Sequence, residues 1–125
     1  MEGVQLNFFE DQGGYRPPPA KPRMISGIRA GDRRVRVVGV VSDIKSSELT
    51  LDDKSGRIQV IFDDSSTVLG VDVGSKICVI GTPLTVSGKT ELRAEIIRKV
   101  DGLDLELYDE FMKVLDEIER RGFSC

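Results

Sequence analysis

A small all-β barrel followed by one helix is the fold class this sequence predicts, and three observations carry it. Five short runs rich in β-branched residues are separated by turn signals, with no helix between them long enough for a parallel crossover. Gly39 interrupts the first run, as happens where one strand bends to serve two sheets of a closed barrel. From Asp104 onward, DLELYDEFMKVLDEIERRG switches to helical spacing.

Each element follows from its residues. Residues 1–23 contain DQGGYRPPPAKP, and the Pro17–Pro19 run is stiff and lacks amide donors, so an extended arm is expected there. Phe8 and Phe9 leave two readings open, a peptide that docks on a partner or an arm that packs on its own domain. In RRVRVVGVVSDIK, Val35, Val37 and Val41 share one phase of a period-2 pattern, and Arg34 and Arg36 the other. SELTLDD then points Leu49 and Leu51 one way, and KSG turns the chain. RIQVIF sets Ile58, Val60 and Phe62 on one face and Arg57, Gln59 and Ile61 on the other. Residues 63–75 predict a loop with about one helical turn. KICVIGTPLTV, SGK and TELRAEIIRKV form a longer hairpin, and Gly81 and Pro83 predict a bend or an edge in its first strand.

The closing helix has clear ends. Asp104 is a plausible N-cap, acids crowd the first turns, Arg120 and Arg121 the last, and Gly122 is a natural stop. Leu107 stands where a capping box would need Glu or Gln. Tyr108, Met112 and Leu115 form one apolar row, and Leu107, Phe111, Val114 and Ile118 a second beside it. So wide an arc either faces another subunit in part or packs wholly on its own barrel. The expected division is an arm over 1–23, a barrel over 24–101 and a subunit-association helix over 102–125.

Composition narrows the chemistry. With 125 residues and two separated Cys, Cys78 and Cys125, one disulfide-free domain in a reducing, intracellular setting is expected. No apolar run approaches the roughly 20 residues that span a bilayer, so no membrane partner is expected. The chain has no His, which removes His-based metal sites and triads. No nucleophile–base pair stands out, so the chain is not read as an enzyme, and no cofactor is expected. The formal charge of −3 hides a basic stretch over residues 21–36 and an acidic one over residues 101–119. GVDVGSK lacks the Gly-Lys-Ser order of a phosphate loop and reads as a turn. Asp52-Asp53 and Asp63-Asp64 read as turn formers rather than cation ligands.

Strand recognition needs cations along a groove and aromatic platforms. The cations are Arg34, Arg36, Lys45, Arg57, Lys89 and Arg93, whereas Phe62 alone among barrel aromatics is placed to stack, unless its phase with Ile58 and Val60 makes it core.

The succession ISGIRAGDRRVRVVGVV, LTLDDKSGRIQVIF, VGSKICVIGTPLTVSGKTELRAEIIRKV and the acidic helix resembles an OB-fold. It is more closely similar to the small and middle subunits of replication protein A, the small archaeal ones especially, over residues 25–121. The resemblance implies a five-stranded OB-fold barrel with a C-terminal α-helix and an extended N-terminal arm. It also implies a subunit of a single-stranded-DNA-binding complex in replication, repair and recombination, nuclear in a eukaryote and in the cytoplasm or nucleoid of an archaeon. The helix would join a bundle with sister OB-fold subunits, through Leu107, Tyr108, Phe111, Met112, Leu115 and Ile118. Phe62 matches the aromatic that ends the third strand, while Val86 stands where a second aromatic belongs, so strand contact is expected to be weak and auxiliary. Its candidates are Arg36, Lys45, Arg57, Gln59, Phe62, Lys89 and Arg93. Two alternatives are a purely structural OB scaffold of a telomere-capping or recombination complex, and an RNA-binding OB module.

Overall fold

β-Branched residues at alternate positions suit a pleated surface with one buried face, and here that face closes on itself. The computed structural model describes residues 18–121, so Phe8, Phe9, Gly122, Cys125 and most of the expected arm lie outside the described residues. The elements are β1 (Lys21–Pro22), β2 (Val35–Ile44), β3 (Glu48–Asp52), β4 (Arg57–Ile61), β5 (Lys76–Val86), β6 (Lys89–Lys99) and α1 (Leu105–Arg120), with 3-10 turns at Ile25–Gly27 and Ser65–Val68. The strand order is β1-β2-β3-β4-β6-β5, and a further β2–β5 pairing closes β2 to β6 into a five-stranded barrel. β1 is an extra strand parallel to β2. The expected fold class holds.

β2 serves both halves of the barrel, pairing with β5 from Val35 to Val40 and with β3 from Val40 to Ile44. The ladder shifts register between Val41 and Asp43, just past Gly39. Gly39 itself permits a close approach, since a Cβ there would lie 2.6 Å from the Asp52 carbonyl oxygen. Gly81 sits at the second irregularity, in the β5–β6 ladder, where a Cβ would collide with the Arg93 carbonyl oxygen. Inside the barrel lie Val35, Val37, Leu49, Leu51, Ile58 and Val60, the phases expected from alternation.

The DDKSG hairpin turn organises one end of the barrel. The Asp53 carboxylate accepts hydrogen bonds from the Ser55 amide (2.9 Å), the Ser55 hydroxyl (2.6 Å) and the Gly56 amide (3.2 Å). Its other oxygen accepts from the Ile25 amide at 2.7 Å, which draws the buried Ile25 into the core cluster. Asp64 caps the second 3-10 turn by accepting from the Ser66 amide at 3.0 Å. Asp52, Asp53 and Asp64 are therefore used by the backbone.

One boundary is corrected. The segment expected as an arm up to residue 23 joins the fold by residue 21: the Lys21 amide donates to the Arg34 carbonyl at 2.9 Å and the Arg23 amide to that of Arg36 at 3.1 Å. Arg23 is 6% exposed, and its guanidinium forks onto Asp32 at 2.9 and 3.0 Å while reaching Glu119 of α1 at 2.6 Å. A planar guanidinium suits such a three-way junction because its donors match carboxylate geometry.

Candidate functional site

The outward positions of β3, β4 and β6 form the surface on which most expected strand-binding residues converge. Cross-strand register sets Asp52 opposite Arg57, Thr50 opposite Gln59 and Glu48 opposite Ile61, with Gln59 and Ile61 in turn beside Glu91 and Arg93. The structure thus brings Arg57, Gln59 and Arg93 together, with Lys45 just past the end of β2 and the exposed Lys89 at the start of β6.

These cations are not idle. Arg57 Nε contacts Asp52 Oδ2 at 2.9 Å, Arg93 lies 3.3 Å from Asp63 Oδ2, and Lys45 Nζ is 4.0 Å from Glu48. Thr50 Oγ1 donates to Gln59 Oε1 at 2.6 Å. The Lys54 amide and Arg57 together hold the Asp52 carboxyl below the usual carboxylate range. Lys89 forms no ion pair with a described residue. Sequence reading passed over Glu48, Asp52 and Asp63 as members of this face. The hairpin register, Asp52 against Arg57 across DDKSG, was the signal that pointed to one of them.

Two expected members lie elsewhere. Phe62 is 3% exposed inside the core cluster, so it presents no stacking surface; its phase with Ile58 and Val60 drives the ring inward. Arg36 is on the outer side of β2, near Cys78 and Tyr108 under α1, away from β3 and β4.

α1 lies along that outer side of β2. The Asp104 side chain caps it, accepting from the Glu106 and Leu107 amides at 3.1 and 3.2 Å. Near its start, Leu105 and Asp109 join Val38, Val40 and Lys54 around a cavity of about 210 Å³. Near its end, Glu119 meets Arg23, and Asp116 lies 3.5 Å from Arg29. These contacts set its rotation. Met112 is 4% exposed and Tyr108 and Leu115 are half-buried, so this row of the expected partner interface packs on the chain's own barrel. Burial pushes the Tyr108 phenol up, and its hydroxyl has no hydrogen-bond partner among the described residues, although Arg36 is close enough to oppose the shift.

The second row turns away. Leu107 is 64%, Phe111 56% and Val114 57% exposed, and Ile118 is half-buried. Val114 and Ile118 floor a shallow groove between Lys113, Glu117 and Arg121. At about 100° per residue, this apolar flank lies opposite the one that carries Asp109 and Asp116.

Among the described residues, no three His, Cys, Asp or Glu gather in a way that could hold a metal ion. No protein-family model matches the chain, and neither does any curated protein. Solved structures do. A chain of the S. pombe Stn1–Ten1 complex is 25% identical, with 78% of this chain and 82% of that one covered and a TM-score of 0.56. The telomere capping protein Ten1 from S. pombe is 21% identical over 79% of this chain and 99% of its own, with a TM-score of 0.61. A chain of a replication protein A heterotrimer bound to single-stranded DNA is 15% identical over 84% and 86%, with a TM-score of 0.57. The latter two likenesses concern the fold. The expected OB-fold is the fold these structures share with the chain.

Proposed function

We propose that this chain is a small OB-fold subunit of a single-stranded-DNA-binding complex of the replication protein A or Stn1–Ten1 kind. It assembles with sister OB-fold subunits through Leu107, Phe111, Val114 and Ile118, and its barrel adds weak strand contact. The observation that carries this reading is the division of α1 into two rows. One row is used by the barrel, and the other leaves three large apolar side chains in water on a helix whose rotation is already set. Such a patch marks an interaction surface. An apolar helix face of this shape is covered by another helix through interdigitated side chains.

The test is assembly in the source cell. The tagged chain is purified under native conditions and its companions identified by mass spectrometry, beside Phe111→Glu. Wild type should bring other OB-fold subunits in fixed ratio. Phe111→Glu should emerge alone, with a melting temperature within a few degrees of wild type because the side chain is exposed. Wild type without companions, or a variant that keeps them, rejects the reading.

A purely structural scaffold, in a telomere-capping or recombination assembly, is the second reading. It is favoured by the paired cations on the β3–β4–β6 face. Titration of a poly-dT oligonucleotide at two salt concentrations separates the readings, since only the first predicts measurable binding.

A further inference from the structure

Three of the four cations that phosphates would seek on the β3–β4–β6 face, Lys89 being the exception, already have carboxylates. Both guanidiniums on the β3–β4–β6 face are held, Arg57 by Asp52 at 2.9 Å and Arg93 by Asp63 at 3.3 Å, and Lys45 lies 4.0 Å from Glu48. Glu91, beside Gln59 in the register, adds a fourth carboxylate. The face therefore carries both signs in near balance rather than a basic track.

We propose that Glu48, Asp52 and Asp63 set the strand affinity of this face, as built-in counter-ions that nucleic-acid phosphates must displace. This rests on the reading of the barrel as an auxiliary strand contact. The pairs are exposed, so they break readily. Breaking them does not remove the carboxylates, which stay well within a Debye length of about 10 Å at 0.1 M salt from any phosphate that takes their place. Each freed carboxylate also recruits a cation from solution, cancelling part of the cation release that normally drives strand binding. Weak affinity and a shallow salt dependence follow together. A subunit built in this way engages a strand only when neighbouring subunits hold it in place, where high effective concentration compensates for low intrinsic affinity.

The experiment is fluorescence anisotropy with a poly-dT oligonucleotide and the full chain. Wild type is compared with Asp52→Asn/Asp63→Asn from about 50 to 200 mM salt. Asn keeps an oxygen that can accept from the Lys54 amide, a 2.8 Å bond in the wild type, so the hairpin turn is preserved. The double variant should bind about tenfold tighter at the low-salt end, and its log–log salt slope should steepen by about 1.4, or 0.7 for each freed arginine. Adding Arg57→Gln and Arg93→Gln should abolish the gain. Glu106→Gln/Glu110→Gln makes the same charge change on α1 and should alter affinity by less than about twofold. A gain as large from the α1 variant reduces the effect to net charge and overturns the proposal. Wild-type binding that the double variant leaves unchanged or weakens also overturns it, while auxiliary strand contact survives. Absence of binding by either protein rejects strand contact and the proposal with it.

Discussion

Phe62 shows how one residue's role turns on its phase. Ile58, Val60 and Phe62 alternate onto one face, and the barrel closes over that face, leaving the ring in the core cluster. Truncation should therefore act on stability. Phe62→Ala is expected to cost about 3–5 kcal/mol by chemical denaturation, with oligonucleotide affinity unchanged where the variant is still folded. Lost affinity at undiminished stability would place the ring on the surface instead. Arg23 makes the opposite case. In the sequence it is one cation in a basic stretch; in the fold it is buried against Asp32 and tied to Glu119. Nothing local in KPRMIS signals this, because its partners lie 9 and 96 residues away.

At the scale of the element, α1 carries more apolar surface than its barrel uses. Helical spacing made both rows legible, but not which row the barrel would take. Ion pairs at its end and the cavity-lining Asp109 at its start settle the rotation, so that Met112 points in and Leu107 and Phe111 point out. The two rows should respond differently to truncation. Met112→Ala is expected to lose about 2–5 kcal/mol in urea unfolding of the isolated chain, whereas Leu107→Ala should stay within about 0.5 kcal/mol. Equal losses would mean that Leu107 packs on the barrel. The strands were more legible than the helix, since each buries one face of a period-2 pattern and the opposite face has nowhere else to go.

For the whole molecule, the Arg23 junction joins residues 21–23, the loop holding Asp32 and the end of α1. Burial raises the Asp32 carboxyl, but hydrogen bonds from Arg23 and the Arg29 amide outweigh it and leave the group below its usual range. The Arg23 hydrogen bond likewise holds Glu119 low, although that end is open to solvent. Carboxyls lowered in the folded state contribute fully above their ordinary values of about 4, and the contribution fades as pH falls through the lower folded-state values. The chain has no His to add a transition nearer neutrality. Melting temperature should thus stay nearly flat from about pH 8 to 5 and fall steeply below about 4. In Arg23→Met the acid loss should be visibly smaller, from a lower starting point. Parallel losses in the two proteins would show that the junction does not contribute to acid sensitivity.

The sequence by itself determined the five barrel strands, their inward and outward residues, the DDKSG turn and the capped acidic helix, but not β1. All of these rest on neighbours a few positions apart, through alternation, turn geometry and helical spacing. Tertiary structure alone decided which helical row is spare, that Arg36 lies beneath α1, that Arg93 is paired from a distant loop, and that Arg23 is buried in a junction. Those outcomes depend on residues that only the closed barrel brings together: Arg93 meets Asp63 from 30 positions away, and Arg23 meets Glu119 from 96. Local periodicity holds no information about such distances.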